Sequence, residues 1–120
     1  MASWNRYYDG LKSLEERGLI QLPTIPNTCV QNAHMFYVKV DDLETRTSLL
    51  EHLNQNNILA VFHYIPLHSS LAGLKFGRFD CDDIYTTFES ERLIRLPMYF
   101  RLTKENVKLI CEVIREYFKN

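Results

Sequence analysis

The chain has 120 residues, 46% of them apolar and 24% charged, with a formal net charge of -1 from 14 basic and 15 acidic side chains. That length predicts one domain with a modest core, and the apolar-to-charged balance excludes a disordered chain. The two signs are interspersed, with no basic surplus or stripe to neutralise phosphates, which sets nucleic acid aside as a partner.

The first predicted element is a helix over "SWNRYYDGLKSLEERG", with Ser3 as cap, Trp4, Tyr7, Leu11 and Leu14 at helical spacing, and Gly18 placed to end it. "LPTIPNTCVQN" has two prolines and no period, so it reads as an extended connection. "HMFYVKV" alternates, putting Phe36, Val38 and Val40 on one face of a first strand. "DDLETRTSLLEHLNQNN" reads as a second helix: Asp41 and Glu44 form an acidic capping box, Leu43, Leu49, Leu50 and Leu53 supply the apolar side, and Asn56 and Asn57 suit a left-handed exit.

"ILAVF" is a short continuous apolar run, the pattern of a buried central strand. "LAGLKFGRFDCDD" reads as a loop, and "TTFESERLI" as a short helix opened by Thr86 and Glu89. "IRLPM" is a third strand that Pro97 confines to an edge or an end. "TKENVKLICEVIREYF" is a final helix capped by Thr103, with Val107, Ile110, Cys111, Ile114 and Phe118 on one face. The order predicts an α+β fold: a three-stranded, mixed sheet with helices mainly on one face. Trp4, Tyr7, Phe76 and Phe79 exceed what this core needs; they mark a surface awaiting cover, or they lie on their own fold.

Cys29, Cys81 and Cys111 are odd in number and form no CxxC pair, so they read as free thiols in a reducing cytoplasm. No apolar run approaches the about 18 residues of a membrane span, and "MASWNRYYDG" lacks the apolar core of a signal peptide. A cytoplasmic protein without a membrane partner is expected. The stretch with most chemistry is "VFHYIPLHSS". His63 and His68 are five apart with a helix-breaking Pro66 between them, so no metal ligand set is assigned. Ser69 and Ser70 adjoin His68, but no nucleophile elbow and no glycine-rich phosphate cradle accompanies them. Composition and spacing end at an α+β domain with one polar loop and no catalytic residue.

The wording of the sequence goes further. "NAHMFYVKV", "LAVFHYIPLHSS", "GLKFGRF" and "YTTFESERLIRLPMYFRLT", in that order, resemble the C-terminal segment of the DegT/DnrJ/EryC1/StrS sugar aminotransferases, pyridoxal-phosphate enzymes of fold type I. The resemblance runs from "WNRYYDGL" to the final helix. It implies that residues 1–120 are one domain, the small C-terminal domain, and that the large pyridoxal 5'-phosphate (PLP) domain is not matched. Lys12, Lys39, Lys75, Lys104, Lys108 and Lys119 all fall in small-domain segments, so the lysine that would hold the cofactor has no counterpart and the chain alone is expected to be inactive.

For the intact enzyme the resemblance implies a homodimer that transfers an amino group from glutamate to C4 of dTDP-4-dehydro-6-deoxy-glucose, in surface-glycan or lipopolysaccharide synthesis. The small domain would close and recognise the nucleotide sugar at the mouth of the site. His63 and Tyr64 would donate hydrogen bonds to sugar or diphosphate oxygens. His68 would help bind the same anion, or fix the turn by bonding a local carbonyl. Lys75, Phe76 and Arg78 would line the mouth, Arg78 with a phosphate-suited fork, and Asn32 and His34 would stand near the cofactor. Two other readings stay open. One is a free-standing nucleotide-sugar binding or dimerisation module without catalysis, the other a metal hydrolase using His63 and His68.

Overall fold

A computed structural model describes residues 1–119; Asn120, the last position of the expected domain, lies outside the described residues. The chain runs α1 (Ala2–Glu16), β1 (Phe36–Lys39), α2 (Leu43–Gln55), β2 (Val61–Phe62), a single 3₁₀ turn (Leu67–Ser69), α3 (Leu71–Phe76), α4 (Thr86–Arg92), β3 (Leu93–Leu96) and α5 (Lys104–Tyr117). The α+β class is the one expected from sequence.

The sheet has the order β1-β3-β2, and both pairs are antiparallel. Two expectations are thereby corrected: the sheet is not mixed, and "ILAVF" is not its central strand; of the edge or end that Pro97 allows, it takes the end, and β3 is central. Only Val61 and Phe62 of that apolar run pair, and both are exposed. A continuous apolar run marks a central strand only when its side chains serve the chain's own core, and here only Ile58 is buried in it. Pro97 lies one residue beyond Leu96, so it removes no ladder bond and the centre is open to β3.

Register places Phe36 opposite Leu96, and Val38 and Phe62 opposite Ile94, on one face. Against that face Tyr7 stacks on Phe36 at 5.1 Å, Trp4 meets the same ring edge-on at 5.2 Å, and the Arg46 guanidinium of α2 lies 5.2 Å from the Phe62 ring. Helix α5 packs on both α1 and α2. Leu11, Leu14, Leu49, Leu53, Val107 and Ile114 complete a core of nearly inaccessible side chains. Each contributes about 2 kcal/mol of apolar burial. Tyr7, whose hydroxyl donates to Pro97 O at 2.9 Å, has its pKa pushed well up by burial. Trp4 and Tyr7 thus belong to the domain's own core, whereas Phe76 and Phe79 are exposed.

The caps refine the helix ends. Gly18 adopts φ +72° and ends α1 as expected, with Leu19 N–H reaching back to Leu14 O. Ser3 is not the cap of α1: it sits inside the first turn, and its hydroxyl reaches Leu102 O at 3.5 Å. Asp42, not Asp41, caps α2 by accepting from Thr45 N–H at 2.7 Å. Asp83 rather than Thr86 serves α4, accepting from Thr87 N–H at 3.2 Å. The expected loop at Leu71–Phe76 is instead helix α3, because the Ser70 hydroxyl accepts from Gly73 N–H at 3.0 Å. Thr103 caps α5 as expected, accepting from Asn106 N–H at 3.1 Å.

From Leu59 to Glu91 no side chain is fully buried, and most of the exposed large apolar residues lie in this stretch, among them Leu67, Leu71, Leu74 and Phe76. It forms a lobe beside the core, tied on by β2 and by Arg46, which donates to Ser90 O at 2.9 Å.

Candidate functional site

The lobe is organised by the proline turn after β2. Ser69 N–H and hydroxyl both donate to Pro66 O, and the Ser70 hydroxyl donates to Leu67 O at 2.7 Å. The local carbonyls are thus taken by the serines, and His68 turns elsewhere. Its Nε2 lies 2.7 Å from Asp83 Oδ2 and 3.5 Å from Thr87 Oγ1, while its ring packs on Phe79 at 4.3 Å between centroids. The Thr87 hydroxyl donates to the same Asp83 oxygen. That hydroxyl first, then Thr87 N–H and His68, hold the Asp83 carboxyl below its usual range against the opposing effect of desolvation.

Two shallow recesses adjoin here. One, of about 430 Å³, is lined by Leu67, His68, Gly73, Arg78, Phe79 and Thr86 among others. The second, of about 260 Å³, is lined by His63, Tyr64, Pro66, Thr86, Glu89 and Ser90 with Leu93. Thr86 borders both, so the recess of His68 and Arg78 neighbours that of His63 and Tyr64. His63 is half-buried against the Tyr64 ring at 4.5 Å, and its Nδ1 is buried without a hydrogen-bond partner. Tyr64 is exposed. Arg78 reaches Asp80 at 3.4 Å, with both side chains almost fully in solvent, so this pair fixes little. Lys75 lies over the Phe76 ring at 4.9 Å and lines neither recess.

Asn32 and His34 stand apart. They pair with each other, Asn32 Oδ1 to His34 Nδ1 at 2.6 Å, and line a recess of about 160 Å³ beside Trp4 and Tyr37. They precede Phe36, which pairs with Leu96, whereas His63 follows Phe62, which pairs with Ile94. The two groups therefore flank opposite ends of the sheet. Sequence reasoning missed Asp83, Thr86 and Thr87; the available signal was an aspartate placed ahead of a Thr-Thr helix start, the pattern of a cap.

The residues present do not fit a complete PLP site. None of these recesses is lined by a lysine. Lys39, on the sheet face away from the core, is held by Glu89 at 2.8 Å, and Lys12 and Lys108 lie near Glu16 and Glu112 on outer helix faces. Among the described residues no three His, Cys, Asp or Glu side chains converge as metal ligands, and no helix is long and apolar enough to cross a membrane.

The fold is shared with solved structures. DesV from S. venezuelae, in complex with a ketimine intermediate, superposes with a TM-score of 0.83 at 23% identity, over 99% of this chain and 31% of its own. TlmJ from Streptoalloteichus hindustanus gives 0.80 at 18% identity, over 98% and 30%. A protein from Streptococcus pneumoniae described as a sugar aminotransferase, in its PMP form, gives 0.78 at 23%, over 98% and 29%. The chain thus spans about 30% of the length of these structures. Residues 1–115 match the DegT/DnrJ/EryC1/StrS aminotransferase family, and with that match over nearly its whole length the chain belongs to that family.

Proposed function

We propose that this chain supplies the sugar-nucleotide wall of a PLP-dependent sugar aminotransferase. The reaction would move an amino group from glutamate to C4 of dTDP-4-dehydro-6-deoxy-glucose, giving dTDP-4-amino-4,6-dideoxygalactose. The observation that carries this reading is the family match over residues 1–115. Two features support it. His63 and Tyr64 line one recess and His68 and Arg78 its neighbour, and the buried Nδ1 of His63 has no partner, as suits a group kept for a ligand. The covalent chemistry is assigned to polypeptide beyond these residues, and PLP, where it is bound, supplies the electron sink. The exposed apolar lobe between Leu59 and Phe88 suits a chain that works against a larger body, a large domain within a homodimer.

The test uses a polypeptide that joins this segment to a large domain. With glutamate as donor it should aminate dTDP-4-dehydro-6-deoxy-glucose, and His63→Ala should raise KM for the sugar nucleotide more than for glutamate. Failure to use that sugar nucleotide, combined with turnover of a keto sugar on another nucleotide, overturns the substrate assignment. Equal effects of His63→Ala on both substrates would make His63 a structural residue.

A further inference from the structure

We propose that Asp83 is a positioning residue that fixes the tautomer of His68, so that His68 offers Nδ1 as a hydrogen-bond acceptor to an uncharged donor group of the ligand. The substrate class rests on the sugar-nucleotide reading above; the tautomer does not. Asp83 Oδ1 accepts the Thr87 N–H at 3.2 Å and Oδ2 accepts the Thr87 hydroxyl, so both oxygens are committed as acceptors. An ionised carboxylate has no proton to give. The 2.7 Å contact between Asp83 Oδ2 and His68 Nε2 therefore requires the histidine to donate. In the neutral ring that places the single proton on Nε2 and leaves a lone pair on Nδ1.

The depressed pKa of Asp83 agrees with an ionised carboxylate there. His68 Nδ1 has no partner among the described residues, and the ring lines the recess that Arg78 also borders. The two cation-type residues of this recess then divide the work. Arg78, a permanent donor, suits an anionic oxygen, whereas the Nε2–H form of His68 has no proton to give from Nδ1 and suits a sugar hydroxyl or a base N–H. Under this proposal His68 reads the uncharged part of the ligand and Arg78 the anion.

The experiment is nitrogen-15 NMR of the full chain at neutral pH, which reads the protonation of each ring nitrogen. Wild type should show His68 as a single Nε2–H tautomer. Asp83→Ala and Asp83→Asn should turn it into a mixture, while the signals of His52 stay in place and show that the fold is kept. A wild-type ring protonated mainly on Nδ1, or a tautomer unchanged in both folded variants, overturns the proposal. Thymidine diphosphate-glucose should shift His68 Nδ1 and inorganic pyrophosphate should not. A shift with pyrophosphate alone overturns the acceptor role while leaving the substrate class intact. A tautomer that follows Asp83 with no response to the sugar nucleotide leaves the positioning role standing and overturns sugar-nucleotide binding at this recess.

Discussion

Gly10 of α1 and Cys111 of α5 approach so closely that a Cβ added to the glycine would stand 2.8 Å from the cysteine Sγ. The same crossing is tied by Arg115, which donates to Gly10 O at 2.9 Å. In an unobstructed helix interior, Gly→Ala stabilises by about 1 kcal/mol. Here the sign should reverse. Gly10→Ala is expected to cost about 1–3 kcal/mol in denaturant unfolding, the range of an overpacked core. The double variant with Cys111→Ala should recover much of that loss, because the colliding sulfur is gone. Additive losses in the two variants would show that the contact does not set the helix spacing.

Cys111 is also the thiol that burial protects. Desolvation pushes its pKa up to about 11, against the pull of Arg115, while Cys29 and Cys81 are exposed. Only thiolate reacts with disulfide reagents. Labelling of the native chain near neutral pH should therefore show two fast thiols and one that reacts only on unfolding. Three equally fast thiols would mean that α1 and α5 do not stay packed.

How much of this was legible in the sequence follows from what each signal depends on. Phe36, Val38 and Val40, and the apolar face of α5, were readable because periodicity and burial coincide there. Strand order was not, since "ILAVF" owes its apolar character largely to surface outside the core, which no period reveals. The caps of α2 and α4 were misjudged by local wording: a capping box needs backbone geometry that Asp41, beside Asp42, and Thr86, three residues past Asp83, could supply equally well on paper. The candidate surface itself came from the resemblance of "HYIPLHSS" to the family. The pairing of His68 with Asp83, 15 residues away, needed the fold.

Gly73 should be intolerant for a local reason. A Cβ there would collide with the Leu67 carbonyl, a backbone atom that cannot rotate away. Gly73→Ala should therefore displace the 3₁₀ turn that carries His68 and dissolve its contact with Asp83. The lobe contributes no fully buried side chain between Leu59 and Glu91, so the unfolding midpoint should move little. Loss of the His68 signature with the midpoint kept is the expected pair of results. A large fall in the midpoint would show that the lobe and core unfold as one unit.

Acid should act through Asp42. Its pKa is lowered from the usual 3.8, first by the Thr45 N–H it accepts at the start of α2. The folded state thus favours the carboxylate, and the stabilisation is fully present above the unfolded value of 3.8 and is lost as pH falls through the lower folded value. Asp42→Ala should lower the unfolding midpoint at pH 7, because α2 carries the core residues Leu49 and Leu53. The gap to wild type should narrow as pH falls through that lower folded value. A gap independent of pH would assign the effect to backbone propensity instead of the charge.

His63 links stability to binding. Its Nδ1 is buried and unpartnered in the free chain, and such an atom costs about 1–3 kcal/mol of desolvation. A phenylalanine keeps the ring that packs edge-on against Tyr64 and removes both nitrogens. His63→Phe should then stabilise the chain by about 1 kcal/mol in chemical unfolding. It should also abolish the response of the Tyr64 ring to thymidine diphosphate-glucose. Destabilisation would mean that solvent satisfies the nitrogen. A retained response would mean that Tyr64 and Arg78 hold the ligand without His63. Gain of stability with loss of binding is the combination expected of a site whose polar group waits for its ligand.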